Sequence, residues 1–328
     1  MAHNDPSLLE LVDTPILTVR DGRVQSANAR AQMLLGDHSI GKDVRLMIRN
    51  PDALDVIAAD TGGRITLHGL SVPGSIWELV CKVLDDGTRL VLLEDLSVRD
   101  SVSRAHTDFV ANASHELRTP LAAILGYVET LLDPKAGEDG PTRDRFLTII
   151  RREAQRMQSL LDDLMSLSRI EATRHEAPSA RLDLAALAAE VASEFGRESH
   201  IVITAPAEPV VVSGDRSQLA QVVRNLIENA RKYGTEGSDV DVTLELGANG
   251  WASFSVHNDG EPIAPEHLPR LTERFYRADA GRSRAAGGTG LGLSIVKHII
   301  VRHRGRFDIT SRAGEGTIAT FLLPPPQY

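Results

Sequence analysis

Eight consecutive residues, Ser114-His115-Glu116-Leu117-Arg118-Thr119-Pro120-Leu121, bring a histidine, a carboxylate, a hydroxyl and a proline into two turns of an apolar-periodic segment. Imidazole, with a reference pKa of about 6.5, is a good nucleophile at neutral pH. A neighbouring carboxylate can orient the ring and accept its proton as the ring attacks. His115 and Glu116 fit those two roles, which is the chemistry of a histidine that becomes phosphorylated. Pro120 removes one helical hydrogen bond and bends the axis at a cost of about 3 kcal/mol, so its place inside a helix calls for a reason.

A second group of residues suits a phosphorylated nucleotide. Asp215 and Gln221 precede Asn225-Leu226-Ile227-Glu228-Asn229-Ala230-Arg231-Lys232-Tyr233 on a stretch of helical periodicity. Asn225 and Asn229 are one turn apart and project from one face. Amide and carboxylate oxygens suit hard Mg²⁺, which keeps waters and phosphates as its other ligands. Lys232 can reach phosphate as a point charge, and Tyr233 can cover the face of a base. Further on, Gly288-Thr289-Gly290-Leu291-Gly292-Leu293 leads into a helix expected over 294–304. Glycines let the backbone approach phosphate oxygens while the helix N-terminus offers amide donors. The run is neither a Walker loop nor a dinucleotide fingerprint, since no Gly-Lys-Ser/Thr follows and no βαβ start surrounds it.

The elements that position these groups read as three domains. Residues 16–19, 63–70, 75–83 and 88–95 alternate as short strands, with Asp86-Gly87 as a hairpin turn and helices expected over 27–35 and 51–60. From 97 the pattern becomes one long helix carrying His115, with Val102, Phe109, Val110, Ala113, Leu117, Leu121, Ile124, Leu125 and Val128 at three- and four-residue steps. The breaker-rich stretch 133–141 is expected to turn the chain. A second stripe through Phe146, Ile150, Met157, Leu160, Leu161, Leu164 and Leu167 then forms the other arm of a hairpin. Stripes this broad leave apolar surface exposed, and pairing two copies into a four-helix bundle buries it, so a homodimer is expected. A final strand is expected over 318–323.

Composition bounds the function. A chain of 328 residues with 42% hydrophobic content can bury two or three cores. A net charge of -9 and the lack of a basic-aromatic module argue against direct nucleic-acid binding. The one cysteine, Cys81, allows neither an intramolecular disulfide nor a thiolate metal site, which fits a reducing cytosol. No stretch of about 18 apolar residues and no signal-like start occur, so no membrane span is expected in the chain. His38 and His68 read as solvated groups rather than haem ligands.

The eight-residue stretch resembles the H-box of sensor histidine kinases, in which the histidine takes the γ-phosphoryl group of ATP and passes it to an aspartate of a response regulator. The nucleotide-directed pieces resemble the ATP-binding domain of the same family. Asn225 to Tyr233 match the N-box, with Asn229 at the Mg²⁺ ligand. Val256-His257-Asn258-Asp259-Gly260-Glu261-Pro262-Ile263 occupies the G1 box, with Asn258 where the family's aspartate accepts a hydrogen bond from the adenine amine. An Asn carbonyl can accept that bond too. Gly260 and Ile263 set this register, and Pro262 departs from the family's glycine. Glu273-Arg274-Phe275-Tyr276-Arg277 resembles the F-box, followed by a lid-like run over 278–288 whose edge arginines could contact the γ-phosphate. The glycine-rich run matches the G2 box, and Gly314-Glu315-Gly316-Thr317 completes the set. Residues 8–96 resemble a PAS domain.

The resemblance implies an α+β PAS-like sensor domain over 1–96, and over 97–175 a signalling helix with a dimerising phosphotransfer hairpin. It further implies an α/β sandwich of the gyrase, Hsp90 and histidine-kinase type over 180–328. Thr119 matches the position that, with Glu116, aligns water for dephosphorylating the regulator. ATP and Mg²⁺ are the implied ligands, and a swing on the linker over 174–179 is implied to bring ATP to His115. The order of domains resembles the cytoplasmic part of phosphate-sensing kinases of the PhoR type, which usually carry membrane helices upstream. The chain is then either a naturally soluble kinase or the part following a membrane segment. Other readings are an ATPase of the wider superfamily, a nucleotide-binding dimeric scaffold with Asn258 and Pro262 marking lost catalysis, and a phosphatase-dominated regulator.

Overall fold

A computed structural model describes residues 9–36, 38–133, 139–173, 176–196, 199–278 and 288–326, with the side chains of 98–99 and 101–106 left aside. The chain forms two compact units, residues 1–110 and 111–328. Much of the expected turn over 133–141, the first two linker residues, most of the lid-like run and the first eight residues lie outside the described residues.

The first unit is a five-stranded antiparallel sheet in the order β2-β1-β5-β4-β3, made from β1 (Ile16–Arg20), β2 (Arg23–Ala27), β3 (Gly63–His68), β4 (Ile76–Val83) and β5 (Arg89–Asp95). Three helices, α1 (Ala29–Leu35), α2 (Val44–Met47) and α3 (Pro51–Ala58), separate β2 from β3. Alternate residues Leu17, Val19, Leu79, Cys81, Val91 and Leu93 face a core closed by Ala31, Ile48, Ala53 and Ile57 of the helical segment. Asn28 pins this unit together. Its buried amide accepts from Ile16 N–H and Ala31 N–H and donates to the carbonyls of Leu9, Val12 and Thr14. It thereby caps α1 and fixes the entry to β1.

Two expectations change here. Residues 23–27 form β2, so Ala27 ends a strand and α1 starts two residues later; α2 was not expected. The cause of β2 is the tight turn at Asp21 and Gly22, both at positive φ (51° and 73°), which folds Arg23 back opposite Arg20. The Asp86-Gly87 turn forms as expected, with Gly87 at φ 80°.

In the second unit, α4 (Ser97–Leu132, which begins in the first unit) and α5 (Gly140–Ala172) run antiparallel. Two contacts set their register: the Tyr127 and Phe146 rings lie 5.0 Å apart, and Arg156 pairs with Glu116 at 3.2 Å. Pro120 sits buried within α4. The rest is a two-layer α/β sandwich. Its five-stranded sheet has the order β11 (Arg306–Arg312), β12 (Gly316–Leu323), β10 (Ala252–Asn258), β9 (Val240–Leu246), β7 (Ile201–Thr204), with only β7 and β9 parallel. Helices α6 (Leu184–Glu194), α7 (Arg216–Tyr233) and α8 (Gly292–Arg302) supply the other layer, and β6 (Arg181–Asp183) pairs with β8 (Val211–Ser213) beside it.

The core joins Leu219, Val223, Leu226 and Ile227 of α7 to Ile295 and Ile299 of α8 and to the sheet. Phe254 and Phe321 stack there at 4.8 Å. Helix α8 starts at Gly292, two residues before the expected start, so the last glycine of the glycine-rich run is its first residue.

Candidate active site

Helix α7 is held in place at its start. The Asp215 carboxylate accepts from the N–H groups of Ser217 and Gln218 at 2.9 and 3.2 Å, an N-cap that satisfies two orphan donors. Burial alone would raise the Asp215 pKa, but these hydrogen bonds, with Arg302 nearby, bring it below the ordinary carboxylate value. The Asp215 N–H donates to Nε2 of buried His303 at 3.0 Å, so the helix start is tied to the end of α8. Because Leu219, Val222, Leu226 and Ala230 face the core, Asn225, Asn229 and Lys232 are left on the opposite side. There they line a cavity of about 1280 Å³.

The other pieces meet at this cavity. Tyr233, Asn258, Ile263, Arg277, Gly288, Thr289, Gly290, Gly292, Leu293 and Thr317 all line it. Gly260, Arg274, Phe275 and Leu291, singled out with them, do not, and each supports the wall. A Cβ on Gly260 would stand 2.7 Å from the Tyr233 carbonyl, so only glycine lets this loop pass the end of α7. Phe275 donates its N–H to the Gly290 carbonyl at 2.8 Å and joins the F-box to the glycine-rich run. Arg274 pairs with Glu171 of α5 and contacts His298 at 3.4 Å. Leu291 is core.

Polar groups in the cavity point to a nucleotide. Asn258 is buried, and its Nδ2 donates to the Asp259 carbonyl at 3.2 Å, leaving Oδ1 as an acceptor toward a base. Asn225 Nδ2 donates to the Gly292 carbonyl at 3.2 Å, which couples α7 to the first turn of α8. Arg277 is only 9% exposed, and its Nε–H is buried without a partner among the described residues. An unpaired buried donor costs about 1–3 kcal/mol, so an anionic acceptor there would relieve it. These residues fit ATP. No cluster of three or more His, Cys, Asp or Glu able to hold a metal occurs among the described residues. The side-chain amide of Asn229, which lines the cavity, is of the hard-oxygen type that suits Mg²⁺ alongside phosphates and waters.

Helix α5 also borders this cavity, which sequence reasoning missed. Ser159, Asp162 and Asp163 line it, and Asp163 Oδ2 accepts from Thr289 Oγ1 at 2.8 Å. Burial pushes the Asp163 carboxyl above its ordinary pKa against the lowering effect of that hydrogen bond. Glu228 is likewise raised by burial, offset in part by Arg224 and Arg231. Glu228 lay within the N-box run, whereas nothing in the sequence marked Ser159, Asp162 and Asp163 of α5 as cavity residues.

His115 is exposed on α4 and does not line the cavity. Glu116 reaches it indirectly: Oε2 accepts from Arg277 at 2.9 Å and from Arg156 at 3.2 Å. Thr119 Oγ1 donates to the His115 carbonyl at 3.3 Å. The structure therefore unites the nucleotide pieces and brings Glu116 to their rim, but leaves His115 apart. His38 and His68 are exposed, as expected.

Comparison with known proteins agrees with this geometry. Residues 105–173 match the His Kinase A (phospho-acceptor) domain, and residues 214–327 match the histidine kinase-, DNA gyrase B-, and HSP90-like ATPase domain. The phosphate regulon sensor protein PhoR of Pseudomonas aeruginosa is 36% identical, the match covering 98% of this chain and 74% of that protein. The sensor-like histidine kinase SenX3 of Mycolicibacterium smegmatis is 35% identical over 79% of this chain and 67% of its own length. The match to the sensor histidine kinase WalK of Bacillus subtilis, 32% identical, covers only 39% of that protein. Among solved structures, the Acinetobacter baumannii histidine kinase AdeS shares the fold, with a TM-score of 0.51 and 24% identity over 65% of this chain and 98% of that one. No described helix is long and apolar enough to cross a membrane. With its ATP-binding pieces gathered on one cavity beside a phospho-acceptor hairpin, the chain belongs to the sensor histidine kinases of two-component systems.

Proposed function

We propose that this kinase phosphorylates itself on His115 and passes the group to an aspartate of a response regulator. The observation that carries this reading is the Arg277 to Glu116 ion pair at 2.9 Å. It links a cavity-lining guanidinium to the residue next to His115.

In the proposed reaction, ATP lies with its base toward Asn258 Oδ1 under Tyr233 and its phosphates toward Lys232, Arg277, Thr289 and the backbone of Gly288 to Leu293. Mg²⁺, when bound at Asn229, supplies charge neutralisation to the phosphates. A movement of the ATP domain about the linker over 174–179 brings the γ-phosphorus to His115. A ring nitrogen of His115 attacks, the bond from the γ-phosphorus to the bridging oxygen breaks, ADP leaves, and Glu116 takes the ring proton. Positioning supplies most of the rate. In a separate, opposing activity Thr119 and Glu116 align water for attack on the regulator's phosphoaspartate, which releases inorganic phosphate and the free carboxylate.

Leu121, Leu125, Val128 and Leu132 of α4 and Leu147, Leu161 and Met165 of α5 are exposed apolar residues that pairing of two hairpins would cover, which supports a homodimer. The antiparallel sheet and helices of the first unit support a PAS-like sensor module over 1–96, connected through α4. A cytoplasmic place for the chain follows from the reducing environment its composition suits.

Incubation of the full chain and of His115→Ala with Mg²⁺ and γ-labelled ATP tests this reading. Acid-labile label on the wild type alone supports it; label on both, or acid-stable label, refutes the assignment to His115.

A further inference from the structure

Two carboxylates of the hairpin contact the groups assigned above to ATP phosphates. Asp163 of α5 takes the Thr289 hydroxyl at 2.8 Å, and Glu116 of α4 takes the Arg277 guanidinium at 2.9 Å. Arg156 holds the same Glu116 oxygen at 3.2 Å and so fixes it at the rim. We propose that these carboxylates form a latch: they stand in for phosphate on Thr289 and Arg277, so that nucleotide binding and docking of the hairpin on the ATP domain compete. This rests on the cavity being the ATP site.

The docking is broader than the two carboxylates. Ser166 donates to Gln221 Oε1 at 2.8 Å, Arg302 of α8 reaches the Thr173 carbonyl at 3.1 Å while Gln218 of α7 holds that guanidinium at 2.8 Å, and Glu171 pairs with Arg274. Leu160, Leu167 and Ile170 of α5 are buried. The hairpin is thereby seated firmly enough to keep two anions at a cavity lined by Arg277, Lys232 and glycine backbone.

The same geometry lets nucleotide win. Glu116 satisfies one terminal nitrogen of Arg277 but leaves Nε–H buried and unpaired among the described residues, whereas a phosphate offers several acceptor oxygens to one guanidinium. Asp163 is desolvated and, with Glu228 also lining the cavity, would repel the phosphates of bound ATP, so it must withdraw. Withdrawal also frees Glu116 to serve His115. A latch closed nine-tenths of the time weakens apparent ATP affinity about tenfold, and by linkage ATP in turn shifts the hairpin toward its undocked state, further as ATP rises above its dissociation constant.

Calorimetric titration of the full chain with ATP and Mg²⁺ tests the latch. Asp163→Asn should bind ATP about threefold to tenfold more tightly than wild type, since an amide is a weaker phosphate substitute. Glu171→Gln, which weakens docking away from the cavity, should tighten ATP in the same direction and carries the test if Asp163→Asn does not fold. In a Cys81→Ser background, spin labels at exposed positions 155 and 308 should change separation when ATP is added, and Asp163→Asn should show part of that change without ATP. Unchanged or weaker ATP binding in both variants, or label distances indifferent to ATP, overturns the latch. If ATP binds and label reaches His115 while both variants bind as wild type, the latch alone fails; if neither wild type nor variants bind ATP, the reading of the cavity fails with it.

Discussion

Gly290→Ala should cripple nucleotide binding for reasons that can be worked from the backbone. Gly290 sits at φ 75°, a conformation that costs an L-residue about 1–2 kcal/mol. Its added Cβ would stand 2.9 Å from Phe275 Cα and 3.0 Å from Phe275 C, closer than packed atoms approach. Phe275 cannot retreat cheaply, because it is itself at φ 63° and its N–H donates to the Gly290 carbonyl at 2.8 Å. Breaking that bond adds about 1 kcal/mol, for a total of about 2–3 kcal/mol. Both segments border the cavity, so the strain should appear as displacement of the glycine-rich run from the phosphates. Converted at 1.4 kcal/mol per decade, ATP affinity should fall about 30- to 150-fold by titration calorimetry. Gly314→Ala is the control: its φ of 79° carries a similar backbone cost, but nothing lies within 4 Å of the new Cβ, so stability should drop slightly and ATP affinity should hold. ATP binding by Gly290→Ala within threefold of wild type would refute the assignment of this close approach to the binding wall.

Other outcomes follow from buried polar groups. His303 is held neutral, its pKa lowered by burial, with Nε2 accepting from Asp215 N–H and Nδ1 facing the Ile299 carbonyl at 2.7 Å. A lowered folded-state pKa means the unfolded chain binds more protons in the window below about 6.5, so this contribution is present above that value and lost as pH falls through it. Asp163 and Glu228, raised in the fold, act in the opposite sense from the ordinary carboxylate range upward. Denaturation at a series of pH values should therefore show a component below pH about 6.5 that disappears in His303→Gln; an identical slope in both proteins would count against it. Asn28→Ala removes a cap and leaves several backbone groups without partners, so the first unit should lose about 2–4 kcal/mol in chemical denaturation while ATP binding by the second unit stays unchanged. Thr119→Ala should abolish regulator dephosphorylation with ATP affinity intact; unaltered dephosphorylation would remove Thr119 from that role.

What was legible in the sequence was what is local. The N-box amides, the glycine-rich run and the eight residues around His115 are each contiguous, and helical spacing alone places Asn225 and Asn229 on one face. Element ends were less legible. Gly292 looked like part of a loop, yet α8 begins on it, because the Asn225 amide binds its carbonyl and ties that residue to α7. Strand β2 was hidden because Arg23 to Ala27 offers few β-branched residues, although the Asp21-Gly22 turn that creates it was visible. Asp163 and Arg156 could not be read at all. Their importance depends on how α5 meets two other elements, a relation that its apolar stripe shows only as a face and not as a partner. The substitution at Asn258 was legible as a departure, and in the structure its amide nitrogen donates locally to the Asp259 carbonyl while the oxygen keeps its acceptor capacity.

The central claim is that the phosphoryl group of ATP comes to rest on His115. Proteolysis at neutral to alkaline pH after incubation with Mg²⁺ and ATP should release the peptide spanning residues 105–118, which contains two histidines, His106 and His115. Fragmentation of that peptide by mass spectrometry should place the phosphoryl group on His115. A phosphoryl group on His106, or on a serine or threonine of the same peptide with His115 unmodified, would contradict the account.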